Sequence, residues 1–352
     1  MDNLFLVIGA GAIGTYLGIS LAVSGERVVF LEKENDIPWL KERGLSMTQD
    51  DECIKLTDPE FTSDLDILRE EDFCLVILAL KTYHLSTILP QLIELKTQLP
   101  PLLCLQNGVE SEKFLAKALG EDLVIPGTVT SAIDRLEKGK IIVRKSRGMG
   151  IAGDHHLARS FQAVFDQAGL NCRYYPEAEG MKWSKLITNL LGNASSAILN
   201  LPPSAIYAHP DLYRLELEQV REALEVMRAQ RIPVVNLPGV PVRILAGIVR
   251  TLPAGISQPL LSKLIGKGRG EKMPSFHIDL YSKRGSSEVG QLNGAVVRAG
   301  ERLGLAAPVN GFLTSRLLDM MEGRIPLNLY QNQLDLFLED LARHRTGRPL
   351  TG

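Results

Sequence analysis

The segment Leu4-Phe5-Leu6-Val7-Ile8-Gly9-Ala10-Gly11-Ala12-Ile13-Gly14 decides the fold of this chain. Its first five residues are apolar, as in a strand buried on both faces, and helical periodicity follows from Gly14 to Val23. Gly9 allows a tight turn, Gly11 lets a pyrophosphate approach the backbone, and Gly14 lets the helix pack closely on the strand. The segment predicts a dinucleotide-binding loop made by Gly9, Ala10, Gly11, Ala12, Ile13 and Gly14, the alternative being a purely structural glycine turn.

Two adjacent charges bear on which dinucleotide the loop would bind. Glu32 and Lys33 end the second apolar segment, 18 and 19 residues after Gly14. An acid at this position accepts hydrogen bonds from the adenosine ribose and repels a 2′-phosphate, whereas a base attracts that phosphate. Both NAD and NADP therefore remain open as cofactors, with a slight preference for NAD. A solvated ion pair on a loop is the alternative for Lys33.

The first half of the chain alternates apolar segments with helical patterns. Five segments predict buried strands: Leu4–Ile8, Val28–Leu31, Phe73–Leu80, Leu102–Leu105 and Leu123–Ile125. Helical spacing between them, as at Leu85–Leu95, is typical of βαβ units, and Lys138–Arg147 alternates like a strand pair. We predict the α/β fold class, with a Rossmann-type dinucleotide-binding domain at residues 1–179.

The second half of the chain is predicted to be all-helical. Four segments have 3.6-residue periodicity: Lys182–Leu199, Asp211–Gln230, Glu288–Leu303 and Leu327–Arg343. Residues 180–352 are thus predicted to form a helical domain that supplies substrate-binding and catalytic residues. The active site is expected in the cleft between the domains, near the carboxyl ends of the strands.

Composition excludes several functional classes. The chain has 352 residues, 45% hydrophobic and 23% charged, which argues against disorder, and its net charge of −2 gives no general attraction for nucleic acid or an anionic membrane. Its four cysteines are scattered without metal-ligand spacing, which argues against a zinc site or a disulfide scaffold. The first apolar segment is too short for a signal peptide core or a membrane span, so we expect a cytoplasmic protein.

A polar stripe marks the first predicted helix of the second domain. Lys185, Asn189, Asn193 and Ser196 are spaced at i, i+4, i+8 and i+11, which places them on one helical face among mostly apolar neighbours. Buried amides and a buried lysine are costly unless they have partners, so the stripe predicts a functional surface. A solvated helix face is the alternative.

Short motifs spread along the chain occur together in one known family. They are Gly9–Gly14, Leu80-Lys81-Thr82-Tyr83, Gln106-Asn107-Gly108-Val109, Trp183-Ser184-Lys185-Leu186 with Asn189 and Asn193, Ser275 with Asp279, Ser287-Glu288, Leu292-Asn293-Gly294 and Ala307-Pro308-Val309-Asn310. In this order and spacing they resemble the ketopantoate reductase family, from about residue 4 to about residue 313. The resemblance implies reduction of a 2-oxo acid by NAD(P)H, foremost of 2-dehydropantoate to pantoate in pantothenate biosynthesis.

The resemblance also implies roles for individual residues. Lys185 would be the catalytic lysine that gives a proton to the substrate ketone, and Glu288 the glutamate that holds the substrate and supports this chemistry. Asn189, Asn193 and Ser275 match substrate-binding positions. Lys81 matches a cofactor-facing position, and Asn107 matches one that faces cofactor and substrate. Each role has a structural alternative. Lys81 would be a surface lysine and Asn107-Gly108 an ordinary turn, whereas Ser275 would be a helix cap and Glu288 an acid in the first turn of a helix.

The chain departs from the family pattern in three places. Lys33, preceded by Glu32, replaces the arginine that binds the 2′-phosphate, and the stretch from Ser275 to Glu288 is one residue longer. The apolar and basic region from about 232 to 273, with Lys263, Lys267, Arg269 and Lys272, is also long; we expect an oligomer interface or a cap over the substrate cleft more than a membrane surface. An NAD-dependent 2-hydroxy-acid dehydrogenase and a non-catalytic redox sensor are the functional alternatives, and a homodimer is compatible with all of these functions.

Overall fold

The computed structural model describes residues 3–259, 261, 272–282 and 285–348. The chain forms two compact units, one comprising Met1–Lys182 with Asn236–Val240 and the other Trp183–Val235 with Pro241–Gly352. The sequence had placed the boundary at residues 179 and 180. The structure also assigns residues 180–182 and the segment Asn236–Val240 to the first unit.

The first unit is an α/β domain. Its strands are β1 (Leu4–Ile8), β2 (Arg27–Leu31), β3 (Leu45–Gln49), β4 (Glu52–Leu56), β5 (Glu60–Thr62), β6 (Leu75–Leu78), β7 (Leu102–Cys104), β8 (Val124–Val129), β9 (Ala132–Glu137), β10 (Lys140–Lys145), β11 (Met149–Ala152) and β12 (Cys172–Tyr175). Eight strands form the main sheet in the order β12-β11-β8-β7-β6-β1-β2-β5, which is parallel except for the β8–β11 pair. The Rossmann-type prediction is confirmed.

Strand register brings the candidate cofactor residues to one edge of this sheet. Ile8, the last residue of β1, pairs with Leu31 of β2 and with Leu78 of β6. Because these strands are parallel and end together, the residues that follow them meet at the same carboxyl edge. The glycine loop, the acid after β2 and the loop after β6 are therefore neighbours in this unit.

A second sheet in this unit was only partly predicted. It has four strands in the order β4-β3-β10-β9, and β9 pairs antiparallel with β10. The segment Lys138–Arg147 was predicted to contain a strand pair, whereas it supplies only β10 and its partner β9 lies before it. The β3–β4 hairpin had no counterpart in the sequence prediction because its strands are only half-buried and carry a polar face.

Helices α1 to α5 cover the main sheet. They are α1 (Ala12–Val23), α2 (Ile37–Arg43), α3 (Leu85–Glu94), α4 (Ser111–Leu119) and α5 (Ala158–Gln167). Two apolar cores lie against the sheet, one including Phe5 and Phe30 and the other including Leu6 and Leu92. Helix α1 packs so closely on β2 that a Cβ at Gly18 would lie 2.3 Å from the Phe30 ring, so glycine is required there.

The second unit is helical, as predicted. The helices that follow are α6 (Ala178–Leu190, which contains the boundary between units), α7 (Ala194–Leu199), α8 (Pro203–Ala208), α9 (Pro210–Ala229), α10 (Val242–Thr251), α11 (Ser275–Tyr281), α12 (Asn293–Glu301), α13 (Pro308–Met321) and α14 (Leu334–Arg345). Three predicted helices were wrong in extent. The one at Lys182–Leu199 is interrupted between α6 and α7, the one at Glu288–Leu303 begins only at Asn293, and the one at Leu327–Arg343 begins at Leu334.

The structure describes only part of the long apolar and basic region. Its first half contains α10, whereas Lys263, Lys267 and Arg269 lie outside the described residues. Among the residues that the structure describes, no helix is both long enough and apolar enough to cross a membrane.

Candidate dinucleotide and substrate sites

The glycine loop joins β1 to α1 with the geometry that its sequence predicts. Gly9 has a φ of 97°, which favours glycine, and a Cβ at Gly14 would lie 1.9 Å from the Gly9 carbonyl oxygen. The buried Thr15 hydroxyl donates to the Ala10 carbonyl oxygen at 3.0 Å. These contacts fix the turn that leads into α1.

Gly11 is the residue that leaves room for a ligand. It is the N-cap of α1 and has no side chain to cap the first helical turn, which contains no acid. A Cβ at Gly11 would meet nothing within 4 Å, so the protein's own packing does not require glycine there. An open approach to the positive end of a helix suits a pyrophosphate, and the loop therefore fits the dinucleotide that its sequence implies.

Glu32 faces this loop. One of its carboxylate oxygens accepts the backbone N–H of Ala10 at 2.5 Å, and the residue is half-buried. Lys33 is exposed, and its backbone N–H lies 3.4 Å from the other carboxylate oxygen. The acid is thus held beside the loop, whereas the lysine that follows it projects from the unit.

Gln106 ties together the loops that carry Lys81 and Asn107. The buried Gln106 amide donates to the carbonyl oxygens of Leu78 and Leu80 at 2.9 and 3.0 Å. The Thr82 hydroxyl lies 3.4 Å from the Asn107 carbonyl oxygen. Both predicted residues are half-buried at the carboxyl edge of the sheet: Lys81 lies in the loop after β6, which is next to β1, and Asn107 in the loop after β7, which is next to β6.

A buried lysine that the sequence analysis did not single out supports the same edge. Lys182 on α6 is only 4% exposed, and its ammonium pairs with the Glu112 carboxylate at 2.6 Å. It also donates to the carbonyl oxygens of Gln106 and Gly127 at 2.6 and 3.2 Å. Three acceptors saturate this ammonium. Lys182 therefore has a structural role. The sequence could not show this, because Lys182 and the predicted catalytic Lys185 are only three residues apart on the same predicted helix.

In the second unit, Lys185 and Asn189 share one face of α6, one helical turn apart. Both are half-buried, in contrast to the fully buried Leu186 and Leu190 beside them. The neighbouring Ser184 side chain is buried and accepts the backbone N–H of Val235 at 2.9 Å, which ties α6 to the segment after α9.

The predicted stripe does not continue along one helix. The chain turns between Leu190 and Ala194, where Gly192 has a φ of 58°. Asn193 and Ser196 therefore leave the face that carries Lys185, and the prediction of four side chains on one continuous face is wrong. The apolar pattern continues through the turn, which is why periodicity alone missed it.

Glu216 on α9 holds this turn. Its carboxylate is fully buried and accepts the N–H of Gly192 at 2.6 Å, the Ser195 hydroxyl at 2.5 Å and the Gln219 amide at 2.7 Å. Charge-assisted hydrogen bonds of this length are stronger than neutral ones. The sequence analysis missed Glu216 because an acid in an amphipathic helix usually lies on the solvated face.

Asn193 joins two parts of the predicted substrate site. Its amide nitrogen donates to the Asn189 carbonyl oxygen at 3.1 Å, and its amide oxygen accepts the N–H of Phe276 at 3.2 Å. Ser275, the first residue of α11, is exposed and lies beside this contact because it directly precedes Phe276. The structure thus brings Asn189, Asn193 and Ser275 together within the second unit.

Glu288 lies in a turn and not in a helix. It is only 2% exposed, and its carbonyl oxygen accepts the N–H groups of Gln291 and Leu292, both at 3.0 Å. Helix α12 begins at Asn293, so the alternative of a first-turn acid that complements a helix dipole does not apply. The catalytic role of Glu288 stays a prediction.

Comparisons with known proteins cover most of the chain. The sequence profile described as ketopantoate reductase PanE/ApbA matches residues 5–153, and the C-terminal profile matches residues 177–321. The 2-dehydropantoate 2-reductase of Lactococcus lactis is 23% identical over 314 residues, which are 88% of this chain and 95% of that protein.

Solved structures are also similar to this chain over most of its length. That of 2-dehydropantoate 2-reductase from Geobacter metallireducens has a TM-score of 0.73 at 25% identity, over 90% of this chain and 99% of that one. D-mandelate dehydrogenase with NADH and anilino(oxo)acetate has a TM-score of 0.73 at 20% identity, over 93% and 100% of the two chains, a likeness of fold.

Proposed function

Because this chain belongs to the ketopantoate reductase family, we propose that it reduces the ketone of a 2-oxo acid, foremost 2-dehydropantoate to pantoate. Members of this family are oxidoreductases that use a nicotinamide dinucleotide. The observation that carries the proposal is the glycine loop, where open space at Gly11 meets the start of α1 beside a ribose-binding acid. The reduced dinucleotide would supply a hydride to the ketone carbon.

Lys185 is the proposed proton donor. Addition to the ketone places negative charge on its oxygen, and an ammonium group beside that oxygen both stabilises the charge and supplies the proton. Of the two lysines on α6, the buried Lys182 is committed to Glu112 and to backbone carbonyl groups, whereas Lys185 is half-buried and matches the position of the catalytic lysine in the family motif.

Polar groups of the second unit would orient the substrate. Asn189 and Ser275 are accessible enough to donate to the carboxylate or hydroxyl of a small acid. Asn193, whose amide bonds both α6 and α11, would keep these two residues in register. Glu288 would hold the substrate from its buried turn. In the first unit, Lys81 and Asn107 would face the cofactor, and Asn107 the substrate as well.

We further propose NADH as the preferred reductant. Glu32 is held beside the loop by the Ala10 N–H, where it would accept the ribose hydroxyls and repel a 2′-phosphate. Lys33 is exposed and offers a single point charge in place of the planar fork of an arginine. NADPH would therefore be used less efficiently.

A second candidate is an NAD-dependent 2-hydroxy-acid dehydrogenase. The likeness of fold to D-mandelate dehydrogenase with NADH favours it, as does Glu32. The two candidates share the reaction and the proton donor and differ in the side chain of the acid. As a cap over the substrate cleft, one of its two expected roles, the long region before Ser275 would be where the two candidates differ.

One experiment tests both candidates. Oxidation of NADH and of NADPH is followed with a panel of 2-oxo acids that includes 2-dehydropantoate and the 2-oxo counterpart of mandelate. The highest kcat/KM with 2-dehydropantoate supports the first candidate, and the highest value with an aromatic acid supports the second. Cofactor binding without turnover of any acid in the panel would indicate the redox sensor and contradict both.

A further inference from the structure

A cleft rich in arginine lies in the second unit, on elements that carry none of the proposed substrate residues. It has a volume of about 470 Å³ and lies between the end of α9, the turn that follows and α10. We name it the arginine cleft. It is lined by Arg228, Arg231, Ile232, Pro233, Val234, Arg243, Ala246, Gly247 and Arg250.

Helix α10 builds one wall of the cleft. Arg243, Ala246, Gly247 and Arg250 are spaced at i, i+3, i+4 and i+7, so they share one helical face. The two small residues lie between the two arginines, and a Cβ at Gly247 would meet nothing within 4 Å. The middle of this wall therefore has small side chains, and both of its ends are positively charged.

Arg231 occupies a backbone position that normally selects glycine. It follows the end of α9 with a φ of 58°, and the next residue, Ile232, donates its N–H to the Met227 carbonyl oxygen at 2.8 Å. This is the helix-ending turn in which glycine predominates, because a Cβ is disfavoured at positive φ. An arginine in a strained position indicates that its side chain matters there.

The arrangement of charges is not explained by the helices alone. Arg228 and Arg250 lie in the last turns of α9 and α10, where a cation complements the helix dipole. Arg243 is in the first turn of α10, where the same effect is unfavourable, and its Nε donates to the Val234 carbonyl oxygen at 3.0 Å. No acidic side chain is among the nine described residues that line the cleft.

We propose that the arginine cleft binds a small molecule that carries a phosphate or diphosphate group. Guanidinium groups bind phosphate oxygens through paired hydrogen bonds, and four arginines line this one cleft. Pro233 and Val234, which are half-buried, provide an apolar surface for the remainder of such a molecule, and the buried Ile232 packs beside them. The cleft residues belong to the second unit and the glycine loop to the first, and the proposal does not depend on the reductase activity.

The test uses inorganic pyrophosphate, titrated into the full-length protein by calorimetry at low salt. Because the glycine loop could also take up this anion, every protein carries Gly11→Val. Arg228→Ala/Arg250→Ala removes two cleft arginines, and Arg302→Ala/Arg348→Ala removes two exposed arginines elsewhere in the same unit as a control of equal charge. We expect one saturable site in the parent and in the control, and at least about tenfold weaker binding in the cleft variant.

A second variant separates binding from folding. Arg231→Gly relieves the positive φ, so its melting temperature should not fall, whereas its affinity for pyrophosphate should. Absence of a saturable site in the parent, or equal affinity of the cleft variant and the control, would overturn the proposal. Malonate that binds as tightly as pyrophosphate would overturn the assignment of a phosphate ligand.

Discussion

Replacement of Glu32 by serine should reverse part of the cofactor preference. The carboxylate is held at the loop by the Ala10 N–H at 2.5 Å, so its charge lies beside the adenosine ribose in the proposed complex. For unit charges about 6 Å apart and an effective dielectric constant of about 20 to 40, Coulomb repulsion of a 2′-phosphate is about 1.5 to 3 kcal/mol. Because Glu32 is half-buried, screening favours the lower end, which is about a tenfold gain in affinity for NADPH.

Binding of NADH should weaken in the same variant. Loss of a charged acceptor for the ribose hydroxyls costs about 1.5 kcal/mol or more, again about tenfold. The assay is kcat/KM for NADH and NADPH at two ionic strengths, because the gain for NADPH should shrink as salt rises. Glu32→Gln is the matched control, since it removes the charge but keeps an acceptor for Ala10.

Either of two results would contradict this role of Glu32. One is a wild-type enzyme that prefers NADPH tenfold or more, in which case Lys33 governs the pocket. The other is a Glu32→Ser variant whose preference is unchanged, which would mean that the carboxylate turns away from the ribose when the cofactor binds.

Four further predictions concern other parts of the chain. Lys185→Ala should lower kcat about a hundredfold or more and leave cofactor affinity nearly unchanged, in steady-state kinetics and cofactor titrations. Gly11→Val should keep the wild-type melting temperature, because its Cβ meets no protein atom, yet abolish dinucleotide binding in a fluorescence titration. Glu216→Gln should lower the free energy of unfolding by about 2 kcal/mol in urea, since buried donors lose their acceptor. Among the four cysteines, Cys53 should react fastest with a thiol reagent, because it is exposed whereas burial raises the pKa of the Cys104 thiol well above its usual value.

Each of these predictions has a contrary result. Near wild-type turnover after loss of Lys185 would exclude it as the proton donor, and Lys182→Ala, which should lower stability, serves as its control. Unchanged dinucleotide affinity with valine at position 11 would remove the role of the loop. Unchanged stability of the Glu216 variant would mean that the turn between α6 and α7 is stable without the carboxylate of Glu216. Equal reaction rates of all four thiols would contradict the burial of Cys104.

The sequence predicted those parts of the fold in which hydrophobic pattern and packing coincide. Strands β1, β2, β6 and β7 are buried on both faces and therefore read as continuous apolar segments. The hairpin of β3 and β4 lacks such a segment and was missed.

The candidate site was predictable where backbone geometry demands a residue type. Gly9 and Gly14 are fixed by a positive φ and by a contact with the backbone, and the pattern of the sequence shows both. The turn at Gly192 is fixed by the buried carboxylate of Glu216, which comes 24 residues later in the chain. No local pattern contains that contact, so periodicity extended the helix through the turn.

The double tie at Gln106 has a mechanical consequence. Its amide joins the end of β6 to the end of β7, and its carbonyl oxygen is gripped by the buried ammonium of Lys182. Three pieces of backbone are thus clamped at one point beneath the loops that carry Lys81 and Asn107. The two loops should therefore be rigid relative to each other, and their amide hydrogens should exchange slowly and at similar rates. Ligands would then meet a surface shaped in advance, and association would be governed by encounter and not by loop closure.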